Sequence, residues 1–395
     1  MKDRFQTSKV LAVSFSHLIH DVYGSFLAPL LPLLVGKLGI TLSMAGLLDS
    51  VRNSPSLFNA GFGLLIDRTK LKYFLVATPA VTTIVMSLIG TAPNYIVAVV
   101  MIFIMGISSS LFHIPAPVLI RRVSADKIGT GMSFYMVAGE ISRTLGPLII
   151  TGAVSLWGLE GTWRLIPFGL ASSIVLAYIL RDYRDDGTHD IRRTAKHRER
   201  FSGVFVRLLS SIGVYLFFIT SLKVALTLYL PAYLMARGES LVTASLMLST
   251  LQFSGAVGTL LAGSISDKIG RKPILFISGI MSPALMWLFM ISGDSFRIPL
   301  LSALGFFMFT SNPIILALLQ GADHPSPSFV NGLYLTIVFI VRSSLVFLIG
   351  LNIEHIGFEI TYRISAILAV GALPAIYFIP DYRKKTAFSH QQNQP

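Results

Sequence analysis

Long apolar stretches alternate with short polar ones along the whole chain. Six of roughly 20 residues or more run near 10–35, 43–66, 73–92, 94–120, 129–156 and 162–180. Six more run near 204–235, 241–265, 273–292, 298–320, 328–351 and 358–379. Each is long enough to cross a bilayer as an α-helix, which satisfies its own backbone hydrogen bonds where water is absent. The pattern predicts an all-α integral membrane protein with twelve transmembrane helices.

The two sets of six repeat one another at an offset of about 200 residues, far longer than a solenoid unit. Gly63, Asp67 and Arg68 return as Gly263, Asp267 and Lys268, Asp182-Tyr183-Arg184 as Asp381-Tyr382-Arg383, and Arg143 as Arg342. The halves therefore run parallel through the same architecture. The expected divisions are an N-terminal six-helix half (1–181), a linker (182–203), a C-terminal half (204–380) and a tail (381–395). The linker holds Arg181 at its edge and Arg184, Arg192, Arg193, Lys196, Arg198 and Arg200. It reads as a solvated connector, with binding of anionic lipid headgroups as the alternative.

Composition agrees: 53% of the 395 residues are hydrophobic and 13% charged, against about 25% charged in soluble domains. Mean hydropathy is +0.71. The net charge of +13 would suit nucleic acid, but the basic residues gather in loops between apolar runs. Arg68, Lys70 and Lys72, then Arg121, Arg122 and Lys127, then Lys268, Arg271 and Lys272 fall on one side, with both termini. The excess of Lys and Arg places that side, and the termini, in the cytoplasm. Nucleic acid is not an expected partner; the lipid bilayer is. The chain has no cysteine, which excludes disulfides and thiolate metal sites. Phosphate-binding loops, His-Glu-x-x-His and Gly-x-Ser-x-Gly are also missing, so no enzyme activity and no bound metal or cofactor are expected.

Two parallel six-helix halves joined by a charged loop resemble the major facilitator superfamily. Its loop motif, Gly-x-x-x-Asp-(Arg/Lys)-x-Gly-(Arg/Lys)-(Arg/Lys), is matched by Gly263, Asp267, Lys268, Gly270, Arg271 and Lys272. The first copy keeps Gly63, Asp67 and Arg68, then departs at Lys70. The resemblance implies gating roles for Gly63, Asp67, Arg68, Gly263, Asp267 and Arg271, the motif Asp after helix 2 resting against the start of helix 11. A narrower likeness is to the fosmidomycin-resistance branch of bacterial exporters. It rests on His17, His20, Asp21, Tyr23, Gly24, Phe26, Leu27 and Pro29 to Pro32, on Phe112-His113 and on Leu145-Gly146-Pro147. It implies export of a small polar anion, with Tyr23 among the substrate contacts.

Ionisable groups inside membrane spans are costly and mark functional sites by default. His17 and Asp21 stand at i, i+4 on helix 1, able to share a proton, with His20 beside them. Repeat alignment sets Lys223 opposite Asp21. Glu140 and Arg143 stand at i, i+3 on helix 5, and Arg342 on helix 11 completes a symmetric arginine pair suited to carboxylate, phosphate or phosphonate. Static ion pairs are the alternative for each. Arg52 either lines the cavity or faces the extracellular mouth near Asp49. His113 precedes Pro115, with Asn312-Pro313 matching on helix 10.

The expected assignment has Arg143, Arg342, Lys223, Arg52, His113, Asn312 and Tyr23 contacting substrate, and Asp21, Glu140, His17 and His20 exchanging protons. Cations outnumber acids in this set, favouring an anionic small-molecule substrate. On helix 5, Gly146-Pro147 with Gly139 and Gly152 partly resembles the pattern of antiporter members of the superfamily, which implies export; small residues there also permit close helix approach. The expected function is a proton-coupled secondary transporter, an exporter acting as a monomer in a bacterial inner membrane. An importer of an organic anion and a non-transporting sensor are the alternatives.

Overall fold

A computed structural model describes residues 5–67, 70–125, 128–183, 203–320 and 327–380. Among these residues the regular structure is helical, with no strand. Among the described residues nine helices are long and apolar enough to cross a membrane. One of them, Leu333–Phe378, turns at Gly357 (φ 79°, ψ 169°) and supplies two spans. Two further spans fall short of that measure. The second is broken into short pieces, Leu42–Asn53, Ser54–Phe58 and Asn59–Asp67. The fifth, Ile128–Trp157, carries Glu140 and Arg143. With these the twelve predicted spans are accounted for in a multi-pass membrane protein.

The starts and breaks follow from side-chain chemistry. Thr41 caps Leu42–Asn53 by accepting from the Met44 N–H (3.2 Å), and Asn94 caps Tyr95–His113 through Val97 (3.0 Å). Such caps satisfy N–H groups that the helix itself leaves open. Prolines set the interruptions. Span 1 is Thr7–Gly24 and Leu27–Leu38, interrupted four residues before Pro29. Span 4 is Tyr95–His113 and Pro115–Val123. Span 7 is Gly203–Thr227 and Leu230–Ala236, interrupted just before Pro231, and span 10 is Arg297–Phe309 and Ser311–Gln320, interrupted before Pro313. A proline has no N–H for the carbonyl four residues back, so the ladder opens there.

Contacts divide the chain into two compact units. The first takes in the described residues of Met1–Arg193, Leu226–Phe253 and Val346–His355; the second those of Thr194–Ala225, Ser254–Leu345 and Ile356–Pro395. Within the first unit one apolar cluster gathers Val22, Phe26, Leu30, Leu34, Met86 and Ile102. Another gathers Val13, Leu75, Phe112, Leu119 and Tyr135. The first unit also ties chain ends from both halves together. Glu354 accepts from the Ser43 N–H (2.6 Å) at the start of span 2, and Tyr229 donates to the Val346 carbonyl (2.8 Å). In the second unit the Tyr362 hydroxyl donates to the Ala225 carbonyl (2.8 Å).

Candidate functional site

The densest polar group in the first unit lies on spans 1, 4 and 5. The i, i+4 spacing brings His17 Nε2 to 3.1 Å from Asp21 Oδ2. From span 4, in the turn before Pro115, His113 Nε2 reaches to 3.2 Å from Asp21 Oδ1. Tyr135 on span 5 joins the two imidazoles. Its ring stacks on His17 (3.9 Å between centroids, 11° between planes), its carbonyl lies 2.8 Å from His17 Nδ1, and its hydroxyl lies 3.2 Å from His113 Nδ1.

Donor and acceptor bookkeeping fixes part of the protonation. A carbonyl can only accept, so His17 Nδ1 carries a hydrogen. In the neutral imidazole Nε2 is then a lone pair facing a carboxylate oxygen. That contact is attractive only when a further proton, or another cation, sits between Nε2 and Oδ2. His113 can donate to Asp21 through Nε2 while Tyr135 donates to its Nδ1.

His20 lies in the same group but is fully buried, stacked on Phe112 (4.6 Å, 15°) with its edge toward His113 (5.5 Å, 81°). Neither of its ring nitrogens has a hydrogen-bond partner among the described residues. Among those residues His17, Asp21 and His113 are the group whose ligand atoms could hold a metal ion.

Elsewhere in the first unit, Arg143 bonds Glu140 on span 5. Arg52 bonds buried Asp49 (2.6 Å) and the Gly24 carbonyl (2.8 Å). Gly24 ends the first piece of span 1, where a cation is favoured by the carbonyl ends of the helix. The structure thus places Arg52 against Asp49 and the break in span 1. Tyr23 sits in the core with its hydroxyl on the Leu165 carbonyl (2.5 Å).

The second unit holds a cationic group. Lys223 donates to Asn312 Oδ1 (2.7 Å) and Ser311 Oγ (3.0 Å), with the Phe309 ring centroid 5.9 Å away. Arg342 lies close enough for its charge to act on Lys223. The spans carry both residues toward each other although 119 positions separate them in sequence, from 223 to 342.

The gating assignments fall largely outside what is described. Arg68 is outside the described residues; Gly63, Asp67, Gly263 and Asp267 lie in helices, with their side chains outside the description. Arg271 opens the helix Arg271–Ile291. Most of the linker and all of the tail, 184–202 and 381–395, are outside it as well.

Tyr135 is the member that sequence reasoning missed. A tyrosine in an apolar run reads as core or interface, and its decisive atom toward His17 is a backbone oxygen that no sequence pattern marks.

Residues 13–345 match the Major Facilitator Superfamily. The chain belongs to that family. Similar to this superfamily member is the fosmidomycin resistance protein of Escherichia coli (strain K12), 25% identical over 382 residues, 95% of this chain and 93% of that one. The probable sulfoacetate transporter SauU of Cupriavidus necator is 24% identical over 387 residues, covering 88% of each. Among solved structures, a D-xylose-proton symporter superposes with a TM-score of 0.75 at 14% identity, over 96% of this chain and 99% of that one. Family membership makes the chain a transporter with a small-molecule substrate in a membrane setting.

Proposed function

We propose that this protein is a proton-coupled exporter of a small organic anion, working by alternating access as a monomer in a bacterial inner membrane with both termini cytoplasmic. The observation that carries the reading is a division of chemistry. The first unit holds an acid between two imidazoles, His17, Asp21 and His113, which can gain and lose a proton. The second holds Lys223 with Arg342, which suit an anion. The name of the fosmidomycin resistance relative supports export of a phosphonate-like compound. The sulfoacetate transporter's name supports a small anionic substrate.

In this reading Arg342 and Lys223 grip the anion with charge-assisted hydrogen bonds, and Asn312 orients the Lys223 ammonium. Arg143 joins the binding set when protonation of Glu140 releases it. A proton entering between the Asp21 carboxylate and His17 makes that pair neutral and attractive; its loss leaves the carboxylate charge facing the Nε2 lone pair. The exchange biases the protein between its two access states.

The test is flux in everted vesicles under an imposed pH gradient, with a panel of phosphonates, sulfonates and carboxylates. Arg342→Ala should raise the half-saturating substrate concentration about ten- to a hundred-fold, the worth of one charge-assisted bond. Asp21→Asn should abolish the response to the gradient while leaving substrate counterflow. Normal proton-driven rates in both Asp21→Asn and Glu140→Gln would sink the coupling assignment. A second reading is import of an organic anion, and net flux in the opposite direction would establish it.

A further inference from the structure

The Asp21 group offers a second chemistry. One ligand atom from each of His17, Asp21 and His113 can be chosen so that all lie within 4.8 Å of one another. Two of the separations are 3.1 Å and 3.2 Å, measured to the two oxygens of Asp21. In a tetrahedral zinc centre with ligand distances near 2.1 Å, ligand atoms stand roughly 3.4 Å apart. With a single Asp21 oxygen as ligand, one separation is close to that edge and the others lie within 4.8 Å, so a rotation of side chains brings the three to the corners of such a centre.

The donor set is selective. Two imidazoles and one carboxylate, with a fourth position for water, suit zinc, cobalt or nickel. Calcium and magnesium prefer all-oxygen surroundings. The outer partners fit as well. Metal-binding histidines donate the other ring N–H to a carbonyl, carboxylate or water, which fixes the tautomer. His17 Nδ1 donates to the Tyr135 carbonyl (2.8 Å), which leaves Nε2 as the ligand. The Tyr135 hydroxyl, 3.2 Å from His113 Nδ1, can turn from donor to acceptor and free His113 Nε2 in the same way. His20, fully buried with its ring 5.5 Å from that of His113, stands outside this three-ligand group.

We infer that His17, Asp21 and His113 form a binding site for a divalent transition-metal ion of the zinc class, held by the two Nε2 atoms and a carboxylate oxygen.

The experiment uses untagged full-length protein in detergent with cobalt(II) as the probe, and no gradient or substrate. One tetrahedral cobalt per chain, seen by its visible absorption and displaced by stoichiometric zinc, is the expected result. His113→Ala and Asp21→Ala should lose the band. Tyr135→Phe, which keeps the ring and the backbone carbonyl, should weaken zinc binding about ten-fold. Size-exclusion elution reports whether each variant is folded; if the alanine variants aggregate, the Tyr135→Phe affinity decides. No tetrahedral band, a band untouched by His113→Ala, or an unchanged affinity in Tyr135→Phe would overturn the site. Absent binding together with an uncoupled Asp21→Asn would remove the site and keep the coupling reading.

Discussion

His17 reaches the backbone of span 5 only because residue 139 is glycine. A Cβ there would stand 2.7 Å from His17 Cε1. The carbonyl that His17 bonds belongs to Tyr135, one helical turn before Gly139, so the missing side chain opens the approach to that oxygen. Gly146, two turns further on, plays the same part toward Val22 and Ser25. Gly139→Ala is therefore expected to push the imidazole off the carbonyl. Proton-driven transport should fall by about ten-fold or more, since displacements near 1 Å have costs of this order at a reacting group. The melting temperature should hold or rise, because alanine favours a helix by about 0.5–1 kcal/mol over glycine. Loss of transport together with loss of folded protein would mean that Gly139 serves packing alone. The residue scale also shows where sequence reading stopped. His17 with Asp21 was legible from i, i+4 spacing. The meeting of Asp21 with His113 was not, because 92 positions, from 21 to 113, say nothing of which faces of spans 1 and 4 meet.

Among elements, the site residues share a placement that repeats across the halves. Asp21 lies one turn before the interruption in span 1, His113 ends the first piece of span 4, Lys223 lies one turn before the interruption in span 7, and Asn312 follows Ser311 at the start of the second piece of span 10. In every case a proline, Pro29, Pro115, Pro231 or Pro313, frees the carbonyl four residues upstream. Apolar run length gave the spans themselves, within a few residues. It could not give the interruptions, whose position depends on which hydrogen bonds the neighbouring helices and side chains make good. Pro115→Ala tests whether the interruption matters. The new N–H can bond the Leu111 carbonyl and continue span 4, a gain of about 1 kcal/mol for one hydrogen bond, since Pro115 opens the second piece at a position that tolerates proline. The expected outcome is a raised melting temperature with slower transport, as His113 turns away from Asp21. Faster or unchanged transport in a stabilised protein would show that the interruption is incidental.

For the whole molecule, the repeat and the apolar runs made the twelve-helix architecture legible, while sidedness rests on the loop charges alone. Lys and Arg crowd the loops assigned to the cytoplasm, and the loop between spans 9 and 10 carries only Arg297, paired with Asp294 at 2.6 Å. The positive-inside bias places that loop outside and the tail inside. The chain has no native cysteine, so single cysteines can report sidedness without a background. Ser295→Cys lies on an exposed turn between the two spans, and Ser389→Cys lies in the tail. A membrane-impermeant maleimide added to intact cells should label Ser295→Cys and leave Ser389→Cys unlabelled until the membrane is opened. Everted vesicles should reverse the pattern. Labelling of both positions on one face would require an even number of spans between them and would undo the twelve-span count. Labelling of the tail alone in intact cells would invert the orientation, and with it the direction in which a proton gradient drives the substrate.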